Sequence, residues 1–125
     1  MRGASATQRV LQETTQQRLA VFVVWEPILP TDWQPPSALA LGRIKDQRAR
    51  QYWDQDHLVS QAVRQSLLAP GAPEPSCCMQ GDHLWDMVML YAPGTQWEGL
   101  PPRPALADGP VVQWTAQLRR KLNGR

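Results

Sequence analysis

The chain has 125 residues, a length that suits one domain with a single hydrophobic core. Its two cysteines are too few for a disulfide framework, and its formal net charge of +2 does not by itself indicate nucleic-acid binding. No apolar run has the length of a signal peptide or of a membrane-spanning segment. We therefore expect a single cytoplasmic domain over residues 1–125, with no membrane association.

Two basic clusters lie at residues 43–50 and 119–125, and arginine supplies most of their charge. Asp46, Asp54 and Asp56 lie within or just after the first cluster. A nucleic-acid site favours a longer basic stripe with interleaved aromatic residues. The first cluster is therefore interpreted as a solvated surface, and no nucleic-acid partner is predicted.

Apolar periodicity and proline breakers predict the elements of the first half of the chain. In order these are a helix over 5–17, a strand over 19–25, a stiff loop over 26–36, a short helix over 37–46, a strand over 48–53 and a helix over 56–68. Ser37 is the expected N-cap of the short helix, and Asp54 or Asp56 that of the longer one. The continuous apolar run at 19–25 is typical of a strand buried on both faces.

The second half begins with a proline-rich loop that includes both cysteines. After it the pattern predicts a strand over 84–91, an antiparallel return at 96–100, and a terminal helix over 111–122 with Pro110 in its first turn. Strands that alternate with helices imply parallel crossovers, and the closing hairpin makes the sheet mixed. The expected class is α/β.

Three stretches of sequence carry a resemblance: VVWEPILPTDW at 23–33, KDQRARQYWD at 45–54 and WDMVMLYAPGTQWEG at 85–99. With the proline-rich approach to the last helix, they resemble a family of thioredoxin-like proteins related in outline to peroxiredoxins and other redoxins. The likeness runs from about residue 6 to residue 122. It implies a three-layer sandwich in which a mixed sheet is flanked by helices.

The sequence departs from this family where the chain begins. The resemblance implies a first strand and a CxxC motif before the helix at 5–17, but the chain opens MRGAS and has no cysteine there. On this reading the amino-terminal strand and the usual dithiol are missing from the chain, either because it is a shortened member or because the true start lies upstream of Met1. A sheet edge is then exposed, and we expect a protein partner or self-association through it.

Cys77 and Cys78 are adjacent, and three interpretations of them remain open. A bond between neighbours closes an eight-membered ring and is labile, which suits a redox switch. Two thiolates also form a soft donor pair for a metal, with His83 as the candidate further ligand. The third interpretation is two structural or incidental residues.

A ligand cleft is a second candidate site. Its residues follow the predicted parallel strands, at the edge where open α/β sheets bind ligands, and they are Trp25, Glu26, Asp32, Trp33 and Trp53. The alternative is that the tryptophans pack the core and bond their indole N–H groups to nearby acceptors. Neither a GxxxxGK loop nor a GxGxxG fingerprint is present, so no cofactor is predicted.

Three functions follow from these patterns. The first is a non-catalytic or redox-related binding module on a thioredoxin-like fold. The second is a thiol-disulfide oxidoreductase that uses Cys77 and Cys78 or an upstream dithiol. The third is a soft-metal-binding protein with the same cysteine pair as its primary ligands.

Overall fold

The computed structural model describes residues 2–29, 34–71, 74–81 and 83–124. Within these residues the helices and strands are, in chain order, α1 Arg2–Glu13, β1 Val21–Trp25, α2 Ala38–Leu41, β2 Ala49–Trp53, α3 Leu58–Leu67, β3 Met79–Gln80, β4 His83–Leu84, β5 Val88–Leu90, β6 Leu106–Asp108 and α4 Val111–Asn123. This mixture confirms the predicted α/β class. None of the helices in the described ranges is long and apolar enough to cross a membrane.

The described strands form three two-stranded sheets, β1–β2, β3–β4 and β5–β6. The first pair is parallel, with Val21 opposite Ala49 and Trp25 opposite Trp53, and α2 lies on the connection between the strands. The other two pairs are antiparallel. The predicted parallel crossover is thus confirmed, but β1 and β5 lie in different sheets and not in the one sheet that the sequence suggested.

One face of the β1–β2 pair is open to solvent. Phe22 is 63% exposed, Val24 38% and Tyr52 48%, and the rings of Phe22 and Tyr52 stack with their centroids 6.4 Å apart. The prediction that this strand is buried on both faces was wrong, because burial alternates along it and only one face packs inward. Self-association through an exposed part of the sheet stays a prediction.

The β5–β6 pair lies between two hydrophobic clusters. The cluster of α1 and α4 consists of Val10, Leu118 and Leu122, with Leu19, Val88, Leu90 and Leu106 packed against it. The cluster of α3 and β4 consists of Val63, Leu67 and Leu84, with Val59, Met79, Met87, Met89 and Ala107 packed against it. Alternate side chains of β5 therefore point to opposite clusters, as the period of a strand requires.

The strand predicted over 84–91 is divided in two. Asp86, between β4 and β5, has a φ of 49°, which an extended strand cannot contain. The predicted antiparallel partner at 96–100 was also wrong, since β5 pairs with β6 and Leu90 lies opposite Leu106. The terminal helix is confirmed as α4, with Pro110 at its N-cap.

Arg48 closes the carboxyl end of α1. Its guanidinium donates hydrogen bonds of 2.8 to 2.9 Å to the backbone carbonyls of Leu11, Thr14 and Gln17. Asp46 accepts from Nε at 2.8 Å and from Nη2 at 2.7 Å, and the bond from Arg48 lowers the pKa of this carboxyl. The interpretation of residues 43–50 as a solvated surface was therefore wrong for Arg48, whose side chain binds backbone carbonyls in the last turn of α1 and just after it.

Replacing Arg48 by lysine removes the fork that reaches three carbonyls and one carboxylate together. We expect Arg48→Lys to lower the free energy of unfolding by about 2 to 3 kcal/mol, because a lysine ammonium cannot reproduce this geometry. Arg50→Lys is the matched control, since Arg50 is exposed and its replacement should change stability by less than about 0.5 kcal/mol. Urea unfolding of both variants checks this, and equal losses would contradict it.

Acid should remove part of the same stabilisation. The pKa of Asp46 is lower in the folded chain than its ordinary value of 3.8. Its ionised form therefore stabilises the fold above that ordinary value, and the contribution disappears as the pH falls through the folded-state pKa. Asp46→Asn should be less stable than the wild type at pH 6, and the difference should shrink by pH 2 to 3 in urea titrations. A pH-independent difference would show that the charge of Asp46 is not its source.

Candidate functional site

Cys77 and Cys78 form a disulfide in the loop that leads into β3. Their Cα atoms are 3.7 Å apart. Cys78 is only 5% exposed, whereas Cys77 is partly exposed. Because thiol-disulfide exchange depends on access to the attacked sulfur, Cys77 is the side of the bond that an external thiol can approach.

Contacts with the segment before α4 hold the disulfide loop in place. The amide and hydroxyl of Ser76 donate to Oδ1 of Asp108 at 3.0 and 2.8 Å. A Cβ atom at Gly109 would lie 3.0 Å from Sγ of Cys78 and 2.5 Å from the carbonyl oxygen of Asp86. Only glycine leaves room for this approach, so the loop packs directly against the backbone that enters α4.

The backbone of Cys78 links the disulfide to the β3–β4 hairpin. Cys78 has a φ of 75°, a left-handed conformation that costs a residue with a side chain about 1 to 2 kcal/mol. Its carbonyl accepts the backbone N–H of Trp85 at 3.0 Å. In the hairpin that these two residues close, Gln80 lies opposite His83. A change of conformation at Cys78 therefore acts directly on Trp85.

Glu26, the first residue after β1, is a buried carboxylate that three groups contact. Its side chain is 7% exposed. Oε2 accepts a hydrogen bond from the hydroxyl of Ser60 and lies 3.3 Å from Nδ1 of His57, while Oε1 accepts the backbone N–H of Leu84 at 3.1 Å. Burying an unpaired carboxylate is very costly, so these contacts tie β1 to α3 and to β4.

The start of α3 places two of these groups beside the carboxylate. Asp54 caps the helix: its side chain accepts the amide of Leu58 at 2.9 Å and also accepts the next two amides along the chain. His57 adopts a left-handed φ of 58° immediately before the helix. The predicted capping by Asp54 is confirmed, and it fixes the turn that presents His57 and Ser60.

The two histidines of the chain meet next to this cluster. The ring centroids of His57 and His83 are 4.3 Å apart and the rings are nearly perpendicular, at 82°. Nδ1 of His83 is buried and has no hydrogen-bond partner among the described residues. Ser60 is 4% exposed and donates to a carboxylate, so this cluster holds the hairpin in place and does not offer a nucleophile to a substrate.

A cavity of about 260 Å³ opens beside the hairpin. Its described lining consists of Ile28, Gln80, His83 and Trp85. Ile28 follows the carboxyl end of β1, and the other three belong to the hairpin or its closing residue. The cavity thus combines an indole ring and an aliphatic side chain with an amide and an imidazole.

Three predicted cleft residues lie at the carboxyl ends of the parallel strands, as expected. Trp25 lies opposite Trp53 in the register, and its indole Nε1 donates to the side-chain oxygen of Gln51 at 2.9 Å. Glu26 is engaged in the network described above. None of these residues belongs to the described lining of this cavity, and the bond to Gln51 is the indole contact that the packing interpretation expects of Trp25.

The other two predicted cleft residues, Asp32 and Trp33, lie outside the described residues. Sequence reasoning did not identify Ser60, Gln80 or Ile28 as site residues. A glutamate directly after an apolar strand was the one local signal of the buried network. Its partners come from distant parts of the chain, and no local spacing marks them.

Within the ranges that the structure describes, no group of three or more histidine, cysteine, aspartate or glutamate side chains can hold a metal ion. The sulfur atoms of Cys77 and Cys78 are bonded to each other. His83 instead contacts His57. The described residues therefore offer no support for the predicted metal site.

The sequence matches no protein-family model, and neither a curated protein nor a solved structure matches it. Conclusions about function therefore depend on the geometry of the disulfide loop, the Glu26 network and the cavity.

Removing the Glu26 carboxylate should destabilise the chain and release the hairpin. We expect Glu26→Ala to lower the free energy of unfolding by about 2 to 4 kcal/mol, because the Ser60 hydroxyl and the Leu84 amide lose their acceptor. Urea unfolding measures the loss of stability. Amide hydrogen exchange should accelerate more at Leu84 than at residues of α4. Glu98→Ala, at an exposed position, is the control, and it should change neither the free energy of unfolding nor the exchange rate of Leu84. An unchanged Leu84 exchange rate would mean that Glu26 does not hold β4.

Proposed function

We propose that the chain is a redox-responsive binding module in which the Cys77–Cys78 disulfide opens and closes reversibly and sets the conformation of the β3–β4 hairpin. The observation that carries this proposal is the left-handed Cys78 inside the disulfide, with its carbonyl bonded to the amide of Trp85. Trp85 lines the cavity. A single residue thus belongs to the redox group and contacts the binding surface.

The exchange reaction has a defined direction of attack. A thiolate attacks the sulfur of the more exposed Cys77, the S–S bond breaks, and Cys78 leaves as a thiolate that takes up a proton. A second thiol then attacks the external sulfur of the mixed disulfide and releases Cys77. In total, two external thiols are oxidised to one external disulfide, and the protein gains two thiols.

Reduction should change the hairpin because the ring formed by the adjacent cysteines constrains Cys78. In the open form the residue can leave the left-handed region, which is unfavourable for any residue with a side chain. Its carbonyl then turns away from Trp85, and the hydrogen bond between them is lost. The wall of the cavity consequently differs between the oxidised and reduced forms.

A second candidate function is catalytic thiol-disulfide exchange. It is favoured by the unequal exposure of the two cysteines, since an accessible Cys77 and a buried Cys78 suit attacking and resolving roles. Turnover of a small disulfide substrate distinguishes this candidate from a stoichiometric switch.

Membership of the thioredoxin-like family also remains a proposal. It is supported by the parallel β1–β2 pair and by the position of β5–β6 between the helical cluster of α1 and α4 and the cluster that includes α3. A redox role for the cysteine loop would agree with that relationship.

The test is a redox titration of the full chain in buffers of reduced and oxidised glutathione. We expect a reversible transition between a form with no free thiols and a form with two, which differ by about 2 mass units in intact mass. The indole N–H signal of Trp85 in a ¹⁵N NMR spectrum, assigned with Trp85→Phe, should shift along the same titration curve. Reduction of a small disulfide by catalytic amounts of the chain would establish the second candidate.

The controls separate redox state from general damage. Cys77→Ser with Cys78→Ser should keep the reduced-form Trp85 signal at every ratio of glutathione to its disulfide. Trp97, exposed and outside the hairpin, should keep one signal throughout. The switch is refuted if the thiols titrate while the Trp85 signal stays unchanged.

A further inference from the structure

We propose that the cavity beside the hairpin binds a small planar aromatic molecule that carries an amide-type pair of hydrogen-bond donor and acceptor. The described walls are Ile28, Gln80, His83 and Trp85. This inference rests on the proposed function, since the cavity is the binding part of the module. It does not require the disulfide to open.

The size of the cavity restricts the ligand. A cavity of about 150 Å³ is enough to admit benzene, whereas drug-sized ligands occupy about 300 Å³ or more. At about 260 Å³ this cavity has room for one substituted ring or a small fused pair.

The apolar walls favour an aromatic ring. Trp85 is 36% exposed and Ile28 39% exposed, so neither side chain is consumed by the core. An indole interacts with another aromatic ring in offset or edge-on contact and gains more from it than from burial of the same area alone. A saturated ring of similar size lacks this contribution.

The polar walls favour a neutral group that both donates and accepts. Gln80 and His83 face each other across the hairpin, so their side chains are neighbours. A carboxamide offers donors and an acceptor, and an imidazole nitrogen is a further hydrogen-bonding group. An amide, which both donates and accepts, can therefore pair with the side chains of this wall.

The position of His83 in the polar wall is fixed by its neighbours. The ring is held by its edge contact with His57, and the hairpin is held by the bond between Glu26 and the amide of Leu84. The polar wall is therefore largely fixed before a ligand arrives, which reduces the entropy lost on binding.

Benzamide is the probe that tests this assignment, with cyclohexanecarboxamide as its saturated counterpart. Ligand-observed NMR on the oxidised full chain should show saturable binding of benzamide with a Kd of about 1 mM, a realistic affinity for so small a molecule. Cyclohexanecarboxamide should bind at least about fivefold more weakly, because it cannot make the aromatic contact.

Variants locate the binding. Trp85→Leu should weaken benzamide binding by about tenfold, and Gln80→Leu should reduce the preference for benzamide over toluene. Trp97→Leu is the matched control at another exposed tryptophan and should leave the Kd unchanged. Equal binding of the two amides, or an unchanged Kd in Trp85→Leu, would overturn the assignment.

The two proposals fail separately. A reversible redox response of Trp85 without benzamide binding overturns the ligand assignment alone. Benzamide binding that depends on Trp85, in a chain whose disulfide does not exchange, overturns the redox control and leaves the ligand site established.

Discussion

The carboxylate of Glu26 is the constraint on which the arrangement of the site depends. It is buried, so its charge must be met by hydrogen-bond donors. Those donors come from the first turn of α3 and from β4, two elements that are remote from β1 in sequence. A pairing of strands between β1 and the hairpin is not present among the described residues, and this one side chain makes the connection instead.

Arg48 also bridges separate elements, and it does so at the opposite end of the β1–β2 pair. It joins the start of β2 to the carboxyl end of α1 by bonds to three carbonyls, and Asp46 holds the guanidinium in position. Two-stranded sheets supply few ladder hydrogen bonds of their own and are marginal in isolation. In the described fold, the charged side chains of Glu26 and Arg48 therefore bridge elements that the strand pairs do not join.

Much of the fold could be predicted where local pattern decides it. The helical stripe of α4, the Ser37 cap of α2 and the parallel partners β1 and β2 all follow from periodicity, capping residues and the order of elements. The pattern does not specify which layer covers a strand, so it could not predict that Phe22 is exposed. It also does not reveal β6, because three residues after a proline-rich segment carry no alternation long enough to recognise. The strand break at Asp86 depends on tertiary contacts with the segment that enters α4.

The candidate site likewise combines features that the sequence predicts with features that only the folded chain reveals. Adjacent cysteines leave a redox, a metal-binding and a structural interpretation open from sequence alone, whereas the bond from the Cys78 carbonyl to Trp85 is visible only in the folded chain. In the proposed function, that bond couples the state of the disulfide to the cavity. If the oxidised hairpin binds a ligand more tightly than the reduced one, the ligand must by linkage favour the disulfide to the same extent. In the proposed switch, Glu26 limits how far this coupling spreads, because its bond to the amide of Leu84 does not involve Cys78 or Trp85. The proposal therefore confines the change to the mouth of the cavity.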